Sequence, residues 1–157
     1  KKTMAEYTAN AIQTVAVNQD ILFTDDPVRG NNSIMHREGS GLVTLRGITC
    51  QCKARFRIFF GANIAVPEGG TAGAISASIA ISGEAIPTSS MIVTPAAVET
   101  FFNVFSAIFV DVPRSIMSSI SVRNISTIPV EVENANLIIE RVAWEEVLYV
   151  SWEIKKY

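Results

Sequence analysis

The sequence predicts an all-β protein, an antiparallel two-sheet sandwich or jelly roll of about ten strands. Three observations predict it. The stretch CQCKARFRIFF alternates: Cys50, Cys52, Ala54, Phe56, Ile58 and Phe60 are apolar, while Gln51, Lys53, Arg55, Arg57 and Phe59 between them are mostly cationic. Side chains alternate between the faces of a strand, whereas a helix would scatter these residues around its circumference and bury arginines. At about 3.3 Å per residue this strand runs roughly 36 Å, so it needs a sheet beside it and a second layer beneath. Short alternating segments then recur between clusters of Gly, Pro, Asn, Asp and Ser, and no long helix intervenes. Finally, Thr100 to Val110 (TFFNVFSAIFV) is apolar on both faces.

In chain order, residues 5–18 suit a helix by propensity, but alternation favours a strand from Ala11 to Val17 and a second piece from Ile21 to Thr24. Asp25-Asp26-Pro27 and Arg29-Gly30-Asn31-Asn32 read as a turn-rich loop. Ser33 to His36 is a short strand, and Gly39-Ser40-Gly41 turns the chain into Leu42 to Leu45. Arg46-Gly47 leads into the long strand, and Pro67-Glu68-Gly69-Gly70 is a turn. From Ala74 to Ile81, Ile75, Ala77, Ile79 and Ile81 share one face. Ser76, Ser78, Ala80 and Ser82 share the other, which suits an exposed or closely approached surface. Ser82-Gly83-Glu84 reads as a hairpin turn into Ala85-Ile86. Met91 to Val93 is extended and Pro95 breaks the pattern.

Thr100 to Val110 also fits a buried helix by the spacing of Phe101, Phe105 and Ile108, but its β-branched and aromatic content favours a strand. A strand apolar on both faces must be covered on both. One face of each sheet in a two-layer sandwich normally meets water, so the expected cover is a neighbouring copy. Asp111-Val112-Pro113-Arg114 is a turn, and Ile120 and Val122 alternate with Ser121 and Arg123. Asn124-Ile125-Ser126-Thr127 is a loop, and Val130 and Val132 alternate with Glu131 and Glu133. Leu137 to Val142 reads as a central strand. Val147 to Ile154 reads as an edge strand or an amphipathic helix, with Leu148, Val150, Trp152 and Ile154 on one face.

The 157 residues suit one domain spanning 1–157, long enough to bury a core without staples. Charged residues make up 18%, below the quarter or so usual for a soluble domain, which again implies surface buried against copies. A net charge of -2 argues against a general nucleic-acid binder. No run approaches the roughly 18 apolar residues of a membrane span, and no charged-then-apolar secretion signal opens the chain.

The order of features resembles the tumour-necrosis-factor-like jelly roll shared with the complement-type globular head. A similar domain caps bacterial spore-surface collagen-like glycoproteins and some phage fibre or decoration proteins. The resemblance rests on Ile21-Leu22-Phe23, the stretch Gly39 to Leu45, Ala54 to Ile58, Ser78 to Glu84, Ile120 to Ser126 and Ala135 to Val142. It covers a core of about residues 11–143 and leaves 144–157 as a C-terminal extension. The aromatic signatures of the animal complement branch are absent, which favours the phage and spore side. The resemblance implies a TNF-like fold and a homotrimer packed around a threefold axis by one sheet of each copy. Phe101, Phe105 and Phe109, or the alternate set Phe102, Val104 and Ile108, are expected to line that axis.

No catalytic constellation emerges. His36, the single histidine, sits in a polar, turn-flanked segment and reads as a surface residue; no G-x-S-x-G elbow accompanies it. Gly69-Gly70-Thr71 lacks the Lys-Ser/Thr pair of a phosphate loop. Cys50 and Cys52, on one face of a strand, read as reduced core residues rather than a disulfide or metal site. The acid pairs Asp25-Asp26 and Glu145-Glu146 are calcium candidates, although solvated loops commonly look the same. The Lys53, Arg55, Arg57 stripe is expected to meet an anionic partner or to pair with strands of the Glu131 and Glu133 type. Asn31-Asn32-Ser33 and Asn124-Ile125-Ser126 fit the glycosylation pattern. The expectation is a protein that is not an enzyme, with no cofactor. It would be a structural or attachment trimer on a virion or spore surface, assembled in the cytoplasm, whose partners are itself and capsid, fibre or spore-coat proteins. The alternative is a secreted receptor- or carbohydrate-binding head. A metal-dependent jelly-roll enzyme would need several histidines.

Overall fold

The computed structural model describes residues 3–142. The predicted element at Val147 to Ile154, the extension 144–157 and the Glu145-Glu146 pair lie outside the described residues.

Twelve strands among the described residues build two antiparallel sheets of six. They are β1 (Met4–Ala9), β2 (Gln13–Val15), β3 (Asp25–Val28), β4 (Ile34–His36), β5 (Val43–Arg46) and β6 (Lys53–Ala65) in the first half. The second half adds β7 (Ile75–Ile81), β8 (Glu84–Ala85), β9 (Met91–Val93), β10 (Phe102–Pro113), β11 (Met117–Asn124) and β12 (Val130–Arg141). One sheet runs β10-β6-β12-β1-β3, with β2 also on β12. The other runs β4-β5-β11-β7-β8, with β9 on β7. The core lies between them, filled by the inward residues of each strand: Phe56, Ile58, Phe60 and Ile64 of β6 against Leu45, Ile79, Ile120 and Val122 opposite.

The long strand exists but is shifted. It starts at Lys53 and continues to Ala65, so Gly61, Ala62 and Asn63 belong to it. Cys50 and Cys52 precede it in bends and are exposed, which overturns their expected place in the core. Their spacing mimics the alternation of β6, but the chain there has already left the sheet.

The N-terminal strand is also earlier than expected. Met4 to Ala9 pairs residue by residue with β12, from Met4 opposite Glu140 to Ala9 opposite Ala135. Its inward residues are Ala5, Tyr7 and Ala9, and two alanines give little hydrophobic contrast. Of Ala11 to Val17, only Gln13–Val15 is a strand. Ile21 and Phe23 are fully buried without belonging to a strand; their amides donate to the carbonyls of Val122 (2.8 Å) and Ser40 (3.1 Å). Asp25-Asp26-Pro27 is not a turn but part of β3, where Pro27 is tolerated because β3 is an edge.

Thr100 to Val110 forms β10, a strand and not a helix. The two pieces read at Val130 to Val132 and Leu137 to Val142 are one strand, β12, bent by a bulge between Glu133 and Asn136. Asn134 carries the left-handed backbone, φ 53°, that the bulge requires. Ser82-Gly83 is the expected hairpin, with φ of 50° and 84° as a two-residue I′ loop demands.

Candidate self-association interface

The outward face of the β10-β6-β12 strip holds the chemistry. Antiparallel register places Phe59 between Ala107 and Ile138, and Phe105 beside Gly61. Phe59 and Phe105 stack with centroids 6.4 Å apart. Phe105 is 62% exposed and Phe109 is 59% exposed. Arg57, Phe59, Ala107, Ile108 and Phe109 line a shallow depression of about 210 Å³. Such a patch on a sheet face costs solvation free energy unless it is covered.

The six residues expected at the threefold axis separate. Phe105 and Phe109 point outward together. Phe101 is partly buried and Phe102 is exposed at the start of the strand. Val104 lies in the core between the sheets and Ile108 packs against it. The odd set therefore keeps an outward face, and the alternate set is split between core and surface. Phe59 and Ile138 were missed; Phe59 stands in a row of cations, and reading the register of β6 against β10 would have found it.

Below the aromatics the face is charged. Arg55 donates to both oxygens of Asp111, at 2.7 and 3.0 Å, and Lys53 adds a contact at 3.0 Å. The bonded Arg55 guanidinium, opposed by partial burial and aided by Lys53, holds the Asp111 carboxyl down at about 2. Arg57 lies 3.6 Å from Glu140. The guanidinium groups of Arg57 and Arg55 stand 5.5 and 5.8 Å from the Phe109 ring. The cationic stripe is thus paired with Asp111 and Glu140, not with Glu131 and Glu133.

Above the aromatics, an amide ladder crosses the sheet. Asn103 donates to Asn63 (3.2 Å), Asn63 to Asn134 (2.9 Å) and Asn134 to Asn10 (2.6 Å). Beyond it, Glu131 is raised by desolvation and then by Glu99, Glu68 and Glu133.

His36 is not at the surface. Its side chain is 0% exposed, and Nδ1 stands 2.7 Å from Oδ1 of Asp26, itself 7% exposed. Nε2 is 2.9 Å from the Ser40 carbonyl. That oxygen only accepts, so Nε2 carries hydrogen, and one proton lies between Nδ1 and Asp26. The Tyr7 ring lies against the imidazole at 4.4 Å. Burial, then the charge of Asp26, pushes the Tyr7 phenol up to about 12. The couple joins β4 of one sheet to β3 of the other, and a cleft of about 420 Å³ opens beside it. Asp26 is thereby committed to His36, and Asp25 accepts from Thr24 at 3.0 Å. Among the described residues no three His, Cys, Asp or Glu side chains are grouped to hold a metal ion.

Asn124 of the second glycosylation pattern is 2% exposed. Its amide donates to the carbonyls of Val15 (3.1 Å) and Ile128 (2.9 Å) and its oxygen accepts from the Ser126 amide (2.8 Å). It is a structural residue.

No family model matches this chain, and no curated protein matches it. Solved structures do. The Eiger TNF of S. frugiperda superposes with a TM-score of 0.68 at 10% identity, over 90% of this chain and 93% of that one. Murine APRIL gives 0.60 at 9%, over 90% and 100%. The globular domain of zebrafish complement 1qA gives 0.58 at 10%, over 90% and 97%. At these identities the likeness is one of fold: the two six-stranded sheets form a TNF-like jelly-roll sandwich.

Proposed function

We propose that this protein is a non-catalytic, homotrimeric structural or attachment module on the exterior of a phage particle or a bacterial spore, bound to capsid, fibre or spore-coat proteins. The observation that carries the self-association is the exposed Phe105 and Phe109, with Phe59 stacked on Phe105, on the outward face of the β10-β6-β12 strip. Obligate interfaces are large and apolar, like a core cut in half. The commitment of His36, Asp26 and Asp111 to structural bonds supports a role without catalysis. The phage or spore setting is favoured by the motif pattern of the sequence. A threefold knob presents three identical rims to one target, so weak contacts multiply.

Light scattering on the purified chain tests the assembly. Three times 17.0 kDa is the expected mass, and a stable species of 17.0 kDa at micromolar concentration refutes it. A secreted head that binds a receptor or carbohydrate is the second reading, favoured by the fold shared with a TNF and a complement globular domain. Glycan-array binding separates it from the first, as does the presence of portal and tail genes beside the coding sequence.

A further inference from the structure

We infer that the end of the sandwich where β6 begins is a docking tip for an anionic lipid surface. Two loops meet there, 46–53 and 113–117. The Gly47 amide donates to the Ile116 carbonyl (2.8 Å), Ser115 to Gly47 (3.0 Å) and Arg114 to Cys52 (3.0 Å). A Cβ on Gly47 would lie 2.1 Å from the Pro113 carbonyl oxygen, so only glycine permits this approach. The two loops therefore form one locked unit.

That unit holds large apolar side chains out in water. Ile48 is 50% exposed, Ile116 51% and Met117 65%. Arg46 and Arg114 are exposed beside them, and neither has an ion-pair partner among the described residues. Lys53 adds a third cation, which shares Asp111 with Arg55. Neither loop contains Asp or Glu. The opposite end of the same strands is the reverse: Glu68, Glu99, Glu131 and Glu133 gather there, and no Lys or Arg occurs between Arg57 and Arg114.

Charge complementarity and shape choose the occupant. The tip sets the separate apolar side chains of Ile48, Ile116 and Met117 beside the unpaired Arg46 and Arg114. A fluid bilayer surface moulds to such a tip: the apolar side chains enter the headgroup boundary while the cations meet lipid phosphates. This is peripheral contact, and no helix among the described residues is long and apolar enough to cross a membrane. The tip is complete in one copy. The trimer proposed above adds multivalency, because threefold symmetry turns three identical tips toward one plane.

Co-sedimentation of the full chain with vesicles tests this, with phosphatidylcholine alone set against phosphatidylcholine containing phosphatidylglycerol. Binding to the anionic vesicles, weakened by added salt, is expected. The Arg46→Gln/Arg114→Gln pair should weaken it about thirtyfold, and the Ile48→Ser/Met117→Ser pair by roughly tenfold or more. Both pairs change exposed positions, and an unchanged melting temperature confirms that they fold. Equal binding to both vesicle types, no binding at all, or binding indifferent to both pairs overturns the inference. So does capture by soluble polyglutamate with no capture by vesicles, which would mark an acidic protein as the occupant. Light scattering on the same sample separates the two readings. A trimer that ignores vesicles sinks the tip alone, and a monomer that binds them sinks the trimer alone.

Discussion

His36 ties the two sheets together at their β3 and β4 edges through one shared proton. Removing either partner strands a buried polar group, so His36→Ala should cost about 3–5 kcal/mol in denaturant unfolding. Replacing both, as His36→Leu with Asp26→Leu, should cost less than either single change, because no orphaned charge remains. A double change as costly as the sum of the singles would refute the couple. Asp111 makes a second prediction at this scale. Its folded carboxyl sits at about 2 against an ordinary 3.8. A depressed acid stabilises the fold above its unfolded value and loses that contribution as pH falls toward the folded one. The melting temperature of the native protein should therefore fall more steeply from pH ~4 to pH ~2 than that of Asp111→Asn. Parallel curves would show that the Arg55 and Lys53 bonds contribute nothing. Neither role is readable from sequence: the partners of His36 and Arg55 lie 10 and 56 residues away, the first brought near by the packing of one sheet on the other and the second by the register of β6 against β10.

At the scale of the element, β10 decides the most. Its inward side, Val104, Ser106, Val110 and Val112, closes the core. Its outward side shows Phe105 and Phe109 to solvent. The pair Phe105→Ser/Phe109→Ser should shift the assembly to monomer by at least tenfold in dissociation constant, with little loss of monomer stability, as sedimentation and circular dichroism would report. Unchanged assembly would place the interface elsewhere. The double-sided pattern of Thr100 to Val110 was legible because Phe and Val at alternate positions leave no polar face. The strands β1 and β3 were not. Ala5 and Ala9 give β1 little contrast, and Asp25-Asp26-Pro27 has the composition of a turn while its backbone pairs with β1. Ser78 was half legible: it is fully buried, and at the strand edge beside it the Ser89 hydroxyl bonds the Ile79 main chain.

At the scale of the molecule, the fold class followed from many weak alternations that agree. An error of a few residues at one strand does not change the layer count. The ends of the strands carry the rest of the argument. Glu68, Glu99, Glu131 and Glu133 gather at one pole, and Arg46, Lys53 and Arg114 at the other, a pattern scattered in the sequence and assembled only by antiparallel pairing. The empty interval from Ile58 to Pro113, with neither Lys nor Arg, has one further consequence. Digestive enzymes that cut after basic residues find no foothold across 66–74 or 95–100, the turns that cap the glutamate pole. The turns at the opposite strand ends from the arginine tip are thereby hardened against trypsin-like attack by composition alone, whatever their local motion.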